Sequence, residues 1–251
     1  MSAESWPEGY ERIVLDEVDS TNTYAAQVGG AITVPTWIMA RRQTAAHGRR
    51  GRAWASPEGN FAATLVMRPD SAPDQAALRS FVAALAVYDA ITAVTGRTEG
   101  LALKWPNDVL FHGGKVAGIL LEGLGAGTST TQLAVGIGVN LMNAPDMGEV
   151  EADAVRPVSV RGETGALITP DEFLPFLASA FAKHEQALST FGFAPIRAAW
   201  LMRAAKLGEP ITARTGNASF DGTFETIDAT GALVLLTPEG RKAIPAADIY
   251  F

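Results

Sequence analysis

A stretch rich in arginine and glycine, residues 43–60, lies between two apolar segments, residues 36–40 and 61–67, that are each typical of a buried strand. It therefore has to form a loop that joins two strands, and we call residues 43–60 the basic loop. The chain carries a formal net charge of -7, so the cations of this loop form a positive island in a negative protein. They are Arg49, Arg50 and Arg52, which follow Arg41 and Arg42 and are accompanied by Gly48, Gly51 and Gly59.

The basic loop is a candidate site for an anionic ligand. Guanidinium groups match the geometry of phosphates and carboxylates, and glycines allow the backbone to approach a ligand closely. A basic loop that is only solvated would have the same composition. The loop taken alone leaves both interpretations open.

The length of 251 residues fits one full domain with a small appendage. The sequence contains no cysteine, which excludes disulfides, thiolate metal sites and a cysteine nucleophile. Its negative net charge argues against general nucleic-acid binding, which normally needs a basic face. The N-terminal residues lack the apolar run of a signal peptide, and the apolar segment at residues 81–94 is too short to span a bilayer. We therefore expect a cytoplasmic protein.

Hydrophobic periodicity predicts an α+β fold in which strands precede and follow long helices. From residue 208 the pattern changes to short strands between turn signals, which predicts a small β-barrel or meander. We therefore expect two domains, residues 1–207 and residues 208–251. Strands are predicted at residues 13–18, 36–40, 61–67, 101–105, 109–111, 116–122 and 132–141, and helices at 73–96, 170–191 and 194–205. The later strands are predicted at residues 210–213, 218–227, 232–236 and 242–244.

Polar residues directly after the first predicted strand, Ser20, Thr21 and Asn22, can cap the start of a short helix. A helix start of this kind also presents free amides and hydroxyls to a polar ligand. Structural capping and ligand binding both explain the pattern.

A turn with Asn107 and Asp108 and a hairpin signal at Gly113-Gly114 place Lys115 at the head of the next predicted strand. On local evidence these residues are turn formers and a solvent-facing lysine as readily as a catalytic site.

Another predicted strand carries Gly136, Gly138 and Asn140. A dinucleotide fingerprint needs a third glycine that opens a helix, and none follows. The glycines either let a flat ligand lie against the strand or mark a β-bulge. The sequence also lacks a G-x-x-x-x-G-K-[ST] phosphate loop and a G-x-S-x-G elbow, which excludes those classes of ATPase and hydrolase.

Taken together and in this order, the motifs resemble those of the biotin protein ligase family. Where this family usually reads Gly-Arg-Gly-Arg, the chain departs from it with Ala46-His47-Gly48-Arg49. The matching blocks are Asp19-Ser20-Thr21-Asn22, Gly48-Arg49-Arg50-Gly51-Arg52-x-Trp54, Lys104-Trp105-Pro106-Asn107-Asp108, Lys115-Val116-Ala117-Gly118 and Gly136-x-Gly138-x-Asn140.

The resemblance implies a fold and an activity. The expected fold is a mixed β-sheet catalytic domain with packed helices, similar to class II synthetases, plus a small C-terminal β-barrel. The expected enzyme activates biotin with ATP and Mg²⁺ to biotinyl-5'-AMP. It then transfers biotin to a lysine of a biotin carboxyl carrier protein domain of a carboxylase. A homodimer is compatible with this expectation, and neither DNA nor a membrane is an expected partner.

The resemblance also implies roles for individual residues. The expected catalytic residues are Lys115, Asp108 and Arg49, with Mg²⁺ near Asp108. The expected biotin-binding residues are Ser20, Thr21, Asn22, Gln43, Gly48, Arg49, Lys115, Gly118 and Gly136. The expected ATP- or adenylate-binding residues are Arg49, Arg52, Trp54, Asn107, Asp108, Lys115 and Asn140.

Three alternatives remain at this point. A lipoate-protein ligase shares the fold but is expected to differ in the arginine and glycine signature. A biotin-responsive DNA-binding repressor would need an N-terminal helix-turn-helix module, and fewer than twenty residues precede Asp19. The third alternative is a biotin-sensing regulator without catalytic activity.

Overall fold

The computed structural model of the chain describes residues 5–69, 71–124, 132–149, 155–216 and 218–250. Seven strands form its central sheet: β1 (Glu11–Val18), β2 (Thr36–Gln43), β3 (Phe61–Met67), β4 (Leu101–Lys104), β5 (Asp108–Phe111), β6 (Gly114–Leu124) and β7 (Gln132–Val139). Their order across the sheet is β1-β2-β3-β7-β6-β5-β4. The pair β1 and β2 is parallel and the other neighbours are antiparallel, so the sheet is mixed, as predicted.

The helices follow the sequence prediction closely where capping signals are strong. The long helix α5 has the predicted bounds, because Thr169 and Glu172 form a capping box at its start. The single helix predicted at residues 73–96 is two helices that meet at Leu78, and the predicted loop at 143–161 ends in a short helix after a 3₁₀ turn. Part of that loop, residues 150–154, lies outside the described residues. The helices are α1 (Thr21–Val28), α2 (Pro73–Ala77), α3 (Arg79–Thr95), α4 (Val160–Thr164), α5 (Pro170–Phe191) and α6 (Phe193–Leu201).

Alternation along the strands sends side chains to two different faces of the sheet. On β2, Trp37 belongs to the main core beneath α3 and α5, whereas its neighbour Ile38 points to the opposite face. The Trp37 ring meets Phe181 of α5 edge-on, with 5.8 Å between ring centroids. Helix α1 covers one end of the opposite face in a second, smaller core that includes Ala25 and Val66. Beyond α1, this second face borders the cavity described below.

The helical stretch Asp74–Thr95 is long and apolar enough to cross a membrane, and it is longer than the apolar run that the sequence suggested. Yet 72% of its most apolar part is buried inside the protein. It packs as the central helix of the core.

A second sheet contains the predicted C-terminal strands and one more. It is entirely antiparallel in the order β11-β10-β9-β8-β12, where the strands are β8 (Pro210–Arg214), β9 (Ser219–Ile227), β10 (Leu233–Thr237), β11 (Gly240–Ile244) and β12 (Asp248–Tyr250). Because the sheet stays open between its edges β11 and β12, the predicted barrel is better described as an open antiparallel sheet. Sequence analysis missed β12, whose three residues are too few to show a period-2 pattern.

The second sheet packs directly on the first part of the molecule. Trp105 donates its indole N–H to the carbonyl oxygen of Gly231 at 3.0 Å. Gly231 has a φ of 87°, and a Cβ there would lie 2.9 Å from the Phe81 ring, so a glycine is needed at this junction. One continuous apolar core includes residues from both sheets. The boundary between residues 207 and 208 stays a prediction.

Candidate active site

A row of strand neighbours lies on the second face of the main sheet, and its three central members, Gly138, Gly118 and Asp108, line a cavity there. Ala62 of β3 pairs with Gly138 of β7, which pairs with Gly118 of β6. Gly118 pairs with Asp108 of β5, which pairs with Lys104 at the end of β4. Side chains opposite each other in a sheet point to the same face, so this row runs from small residues to two charged ones. We call these five residues the floor.

The glycines of the floor make room for the indole of Trp54. A Cβ on Gly138 would lie 2.8 Å from the indole Nε1, and a Cβ on Gly118 would lie 3.0 Å from the ring carbon Cζ3. The flat group that lies directly against these strands is therefore a side chain of the protein, where the sequence analysis considered a ligand. The Nζ atom of Lys115 is 5.3 Å from the centroid of the Trp54 ring, within reach of a cation–π interaction.

Lys115 lies beside the floor and forms an ion pair with Asp108 of the floor, with 2.7 Å between Nζ and Oδ1. The β5–β6 pairing shifts register between Val109 and Leu110, and such a bulge re-aims side chains next to a site. The backbone of Lys115 is fixed by the segment at residues 156–158, since its N–H donates to Arg156 and its carbonyl accepts from Val158. The lysine backbone is thus held by two main-chain bonds, and its charge is turned toward the carboxylate.

A chain of buried polar side chains lines the other end of the cavity. Asn22 donates from Nδ2 to Glu122 at 2.6 Å and accepts at Oδ1 from the Thr64 hydroxyl at 2.5 Å. The Thr64 hydroxyl also lies 2.8 Å from that of Thr21, whose N–H donates to Gln43 Oε1 at 2.8 Å. Ser20, Thr21 and Asn22 are buried, so they form part of a polar recess as well as a helix start.

Gly136 explains how Asn22 reaches this position. A Cβ on Gly136 would overlap the Asn22 side-chain amide. The glycine therefore gives space to the polar recess, and it does not mark a bulge, since β7 keeps a regular register with β3 and β6.

The basic loop folds back on itself over the cavity. The N–H of Gly48 donates to Arg52 and the N–H of Trp54 donates to Ala46, which makes a small antiparallel turn. His47, where the chain departs from the family pattern, pairs with Ala53 in this turn and brings its Nε2 to 3.7 Å from Glu122. Arg49 donates to Asn107 Oδ1 at 3.3 Å and so links the loop to the turn before β5.

The arginines of the basic loop converge on one carboxylate of the second sheet, Asp248 of β12. Its oxygens lie 3.1 Å from Arg50, 3.2 Å from Arg52 and 3.9 Å from Arg49. Burial lowers the pKa of Arg49, while Asp248 and Asp108 act in the opposite direction. Asp248 was not predicted as a site residue because nothing local in the sequence distinguishes it.

Lys104 is a buried cation close to Asp108, Lys115 and Asp248 of the cavity lining. Its residue exposure is 8%, and burial lowers its pKa, with Lys115 adding to the effect and Asp108 and Asp248 opposing it. Together with Lys115 and the three arginines it makes five cations around two carboxylates. An anionic ligand can compensate this excess of positive charge.

All fourteen predicted site residues line one cavity of about 220 Å³. The structure therefore brings together residues that the sequence spreads over 121 positions, from 20 to 140. Asn140 is 2% exposed and its Nδ2 donates to the carbonyl of Val158 at 3.0 Å, so part of its amide is already used within the protein. The predicted residues at the cavity are Ser20, Thr21, Asn22, Gln43, Gly48, Arg49, Arg52, Trp54, Asn107, Asp108, Lys115, Gly118, Gly136 and Asn140.

Comparison with known proteins agrees with this geometry. Residues 14–140 match the model of the biotin/lipoate A/B protein ligase family, and residues 206–251 match that of the biotin protein ligase C-terminal domain. The chain belongs to the biotin/lipoate A/B protein ligase family. The C-terminal match is to a domain that is named after the biotin protein ligases, one part of this family.

Individual relatives point the same way. The chain is 56% identical over 238 residues to a biotin--[acetyl-CoA-carboxylase] ligase of Paracoccus denitrificans, covering 95% of this chain and 99% of that protein. It is 33% identical to the bifunctional ligase/repressor BirA of Bacillus spizizenii, covering 96% of this chain and 74% of that protein. Among solved structures, the biotin protein ligase of Aquifex aeolicus in complex with biotin and ATP superposes with a TM-score of 0.82 at 27% identity, covering 96% of this chain and 97% of that one.

Proposed function

We propose that this protein is an ATP-dependent biotin protein ligase that forms biotinyl-5'-AMP and transfers biotin to a lysine of a biotin carboxyl carrier domain. One observation carries the proposal: the Lys115–Asp108 ion pair lies between a buried polar recess and a loop of converging arginines. The Paracoccus and Aquifex relatives support the same substrates, since their names specify the carboxylase acceptor, biotin and ATP.

The polar recess is suited to the head group of biotin. A ureido group carries one acceptor oxygen and two N–H donors, and it needs partners for all of them once it is buried. Thr21, Asn22 and Gln43 line the cavity and offer hydroxyl and amide groups. Thr64 and Glu122 orient Asn22, and Thr21 orients Gln43. An orientation fixed before binding reduces the entropy that the ligand has to lose.

The first reaction joins two anions, which is why the site needs cations. A carboxylate oxygen of biotin attacks the α-phosphorus of ATP, the bond from that phosphorus to the bridging oxygen breaks, and pyrophosphate leaves. Lys115 and Arg49 offset the charge that gathers where the two substrates meet. Asp108 keeps Lys115 pointed at that place.

Trp54 provides the surface for the nucleotide. One face of its indole rests on Gly118 and Gly138, and the other can stack on adenine. Arg49 and Arg52 line the same side of the cavity. Closure of the basic loop would exclude water from the mixed anhydride, which hydrolyses readily.

Magnesium fits this site only as a companion of the nucleotide. Among the described residues no group of three or more His, Cys, Asp or Glu side chains is arranged to hold a metal ion. Mg²⁺ is commonly bound through one or two carboxylates together with substrate phosphates, and Asp108 is the carboxylate in position for this. When bound, the ion would offset phosphate charge.

The second reaction releases AMP. An uncharged lysine amine of the carrier domain attacks the acyl carbon of the anhydride, the bond to the phosphate oxygen breaks, and a proton passes to solvent. A cytoplasmic location, the absence of DNA and membrane partners, and a homodimer stay predictions.

Incubation of the purified protein with biotin, α-labelled ATP and a biotin carboxyl carrier domain tests the proposal. We expect biotinyl-AMP without the carrier and biotinylated carrier with it. A parallel reaction with lipoate and a lipoyl domain tests the alternative of a lipoate ligase. Biotin binding without adenylate would identify a sensor and contradict the proposal.

A further inference from the structure

Asp248 is the point at which the second sheet meets the basic loop. It lies on the edge strand β12, in register with Arg214 of β8, and 21% of its side chain is exposed. Arg49, Arg50 and Arg52 all lie within 4 Å of its carboxylate. One carboxylate thus faces three guanidinium groups that come from four consecutive residues.

The conformation of the basic loop depends on compensation of its positive charges by a carboxylate. Three like charges this close repel one another. Arg50 also has a φ of 57°, in the left-handed region that is unfavourable for a residue with a side chain. At the tip of the turn the Arg52 N–H donates to Arg49 at 3.2 Å, a longer backbone bond than the 2.7 Å one from Gly48 to Arg52. The ion pairs to Asp248 offset both the repulsion and the strain.

The contact also sets where the arginines point. Arg49, Arg52 and Asp248 line the cavity, and Arg49 reaches Asn107 beside the Lys115–Asp108 pair. A single carboxylate cannot neutralise three guanidinium groups. It draws them together and leaves a positive surplus for an incoming polyphosphate.

We propose that Asp248 is a positioning residue for the nucleotide: from the second sheet it gathers the arginines of the basic loop into one cluster before ATP binds. The inference rests on the proposed function for its ligand, but its structural part concerns the protein without ligand. It gives the second sheet a role in adenylation that neither the floor nor the polar recess can supply.

The direction in which the KM for ATP changes when Asp248 is neutralised distinguishes positioning of the arginines from simple charge competition. If Asp248 only competed with phosphates for the arginines, its neutralisation would make the site more positive and lower the KM for ATP. If Asp248 positions the arginines, its neutralisation lets them separate and raises that KM despite the added positive charge.

The test compares Asp248→Asn with Asp221→Asn. Asp221 lies on β9 of the same sheet, where it accepts a hydrogen bond from Thr212, and it changes the net charge equally without facing the loop. We expect Asp248→Asn to raise the KM for ATP about tenfold, with biotin affinity and kcat within about twofold. Asp221→Asn should match the wild type, and Asp248→Glu, which keeps the carboxylate, should recover part of the loss.

Hydrogen exchange without ligand tests the structural part independently of activity. Amides of residues 46–54 should exchange faster in Asp248→Asn than in the wild type, while those of β7 do not change. If Asp248→Asn does not fold, increasing NaCl on the wild-type protein replaces it, because salt screens exposed ion pairs. Loop exchange should then rise with salt and that of β7 should not.

The possible failures are distinct. A wild-type protein that makes no biotinyl-AMP would overturn the proposed function. A lower or unchanged KM for ATP in Asp248→Asn, or loop exchange that responds to neither the substitution nor salt, would overturn the positioning role.

Discussion

The floor and the basic loop face each other across the same cavity, but different forces fix them. The floor is set by strand register, and main-chain bonds to Arg156 and Val158 hold Lys115 at its edge. The loop has few main-chain bonds and is tied by ion pairs to Asp248 and by the contact of Trp54 with two glycines. Sheet backbone opens rarely, whereas loops held by exposed contacts open often.

This difference suggests a division of labour. The rigid floor and the residues beside it place the groups that act on the reacting atoms, which must stay within a fraction of an ångström. The loop admits substrates and then retains the reactive intermediate, and both steps require it to move. Substitutions at or beside the floor should therefore impair the chemical step that forms the adenylate, and substitutions in the loop should impair ATP binding and retention of the adenylate.

Lys115→Ala should have the largest effect. It removes the cation that faces developing phosphate charge, so adenylate formation should fall by about 10²-fold or more. Lys183→Ala, an exposed lysine on α5, is the matched control. Near-normal adenylation by a folded Lys115→Ala protein would assign the role to another residue.

Two glycine substitutions distinguish the two ends of the cavity. Gly136→Ala should displace Asn22 and weaken biotin binding, while Gly138→Ala should displace Trp54 and raise the KM for ATP. Overpacking typically costs about 1–3 kcal/mol, so each effect should be about tenfold. Gly30→Ala is the control, because its new methyl group would have no neighbour within 4 Å. Equal loss of both ligands in both variants would contradict the assignment of the ends.

Asp108→Asn should lower turnover about tenfold, because a charge-assisted contact to Lys115 becomes a weaker neutral one. Biotin affinity should change little, since the polar recess is untouched. Isothermal titration with biotin and a single-turnover adenylation assay measure the two quantities. Unchanged turnover would leave Asp108 as a turn residue only.

Arg49→Gly should slow formation of the adenylate less than Lys115→Ala does, because Lys115 still offsets the phosphate charge, and it should have a visible effect on retention of the adenylate. Loss of the contacts to Asn107 and Asp248, together with added backbone freedom, should increase release of biotinyl-AMP about fivefold. Released adenylate would label lysines of an unrelated bystander protein. Arg49→Ala removes the charge with less added freedom, so equal release from both variants assigns the effect to the charge. If neither variant labels the bystander, Arg49 does not retain the intermediate.

The difference between the floor and the basic loop also explains which features could be predicted from the sequence. Apolar runs located the strands of the main sheet, and the start of α5 was predicted correctly because its capping box is local. The family blocks located the cavity residues because each block is also a local stretch of sequence. Asp248 was missed because its meaning depends on Arg50, which is 198 positions away along the chain.

The glycines show a second limit of the sequence. Gly136 and Gly138 were interpreted either as space for a flat ligand or as marks of a β-bulge, whereas protein side chains pack against them. The partners, the Asn22 amide and the Trp54 indole, come from α1 and the basic loop, and only the folded chain brings them there. A glycine in a strand predicts that another group approaches the backbone closely, but it does not identify that group.

Hydrogen exchange across the cavity tests the division between floor and loop most directly. Amides of β6 and β7 should be protected without ligand and with biotin plus ATP. Amides of residues 46–54 should exchange faster than these strands without ligand and slow markedly when both substrates are present. A loop that is as protected as the strands before ligand binding, or that exchanges equally fast with and without substrates, would contradict the account.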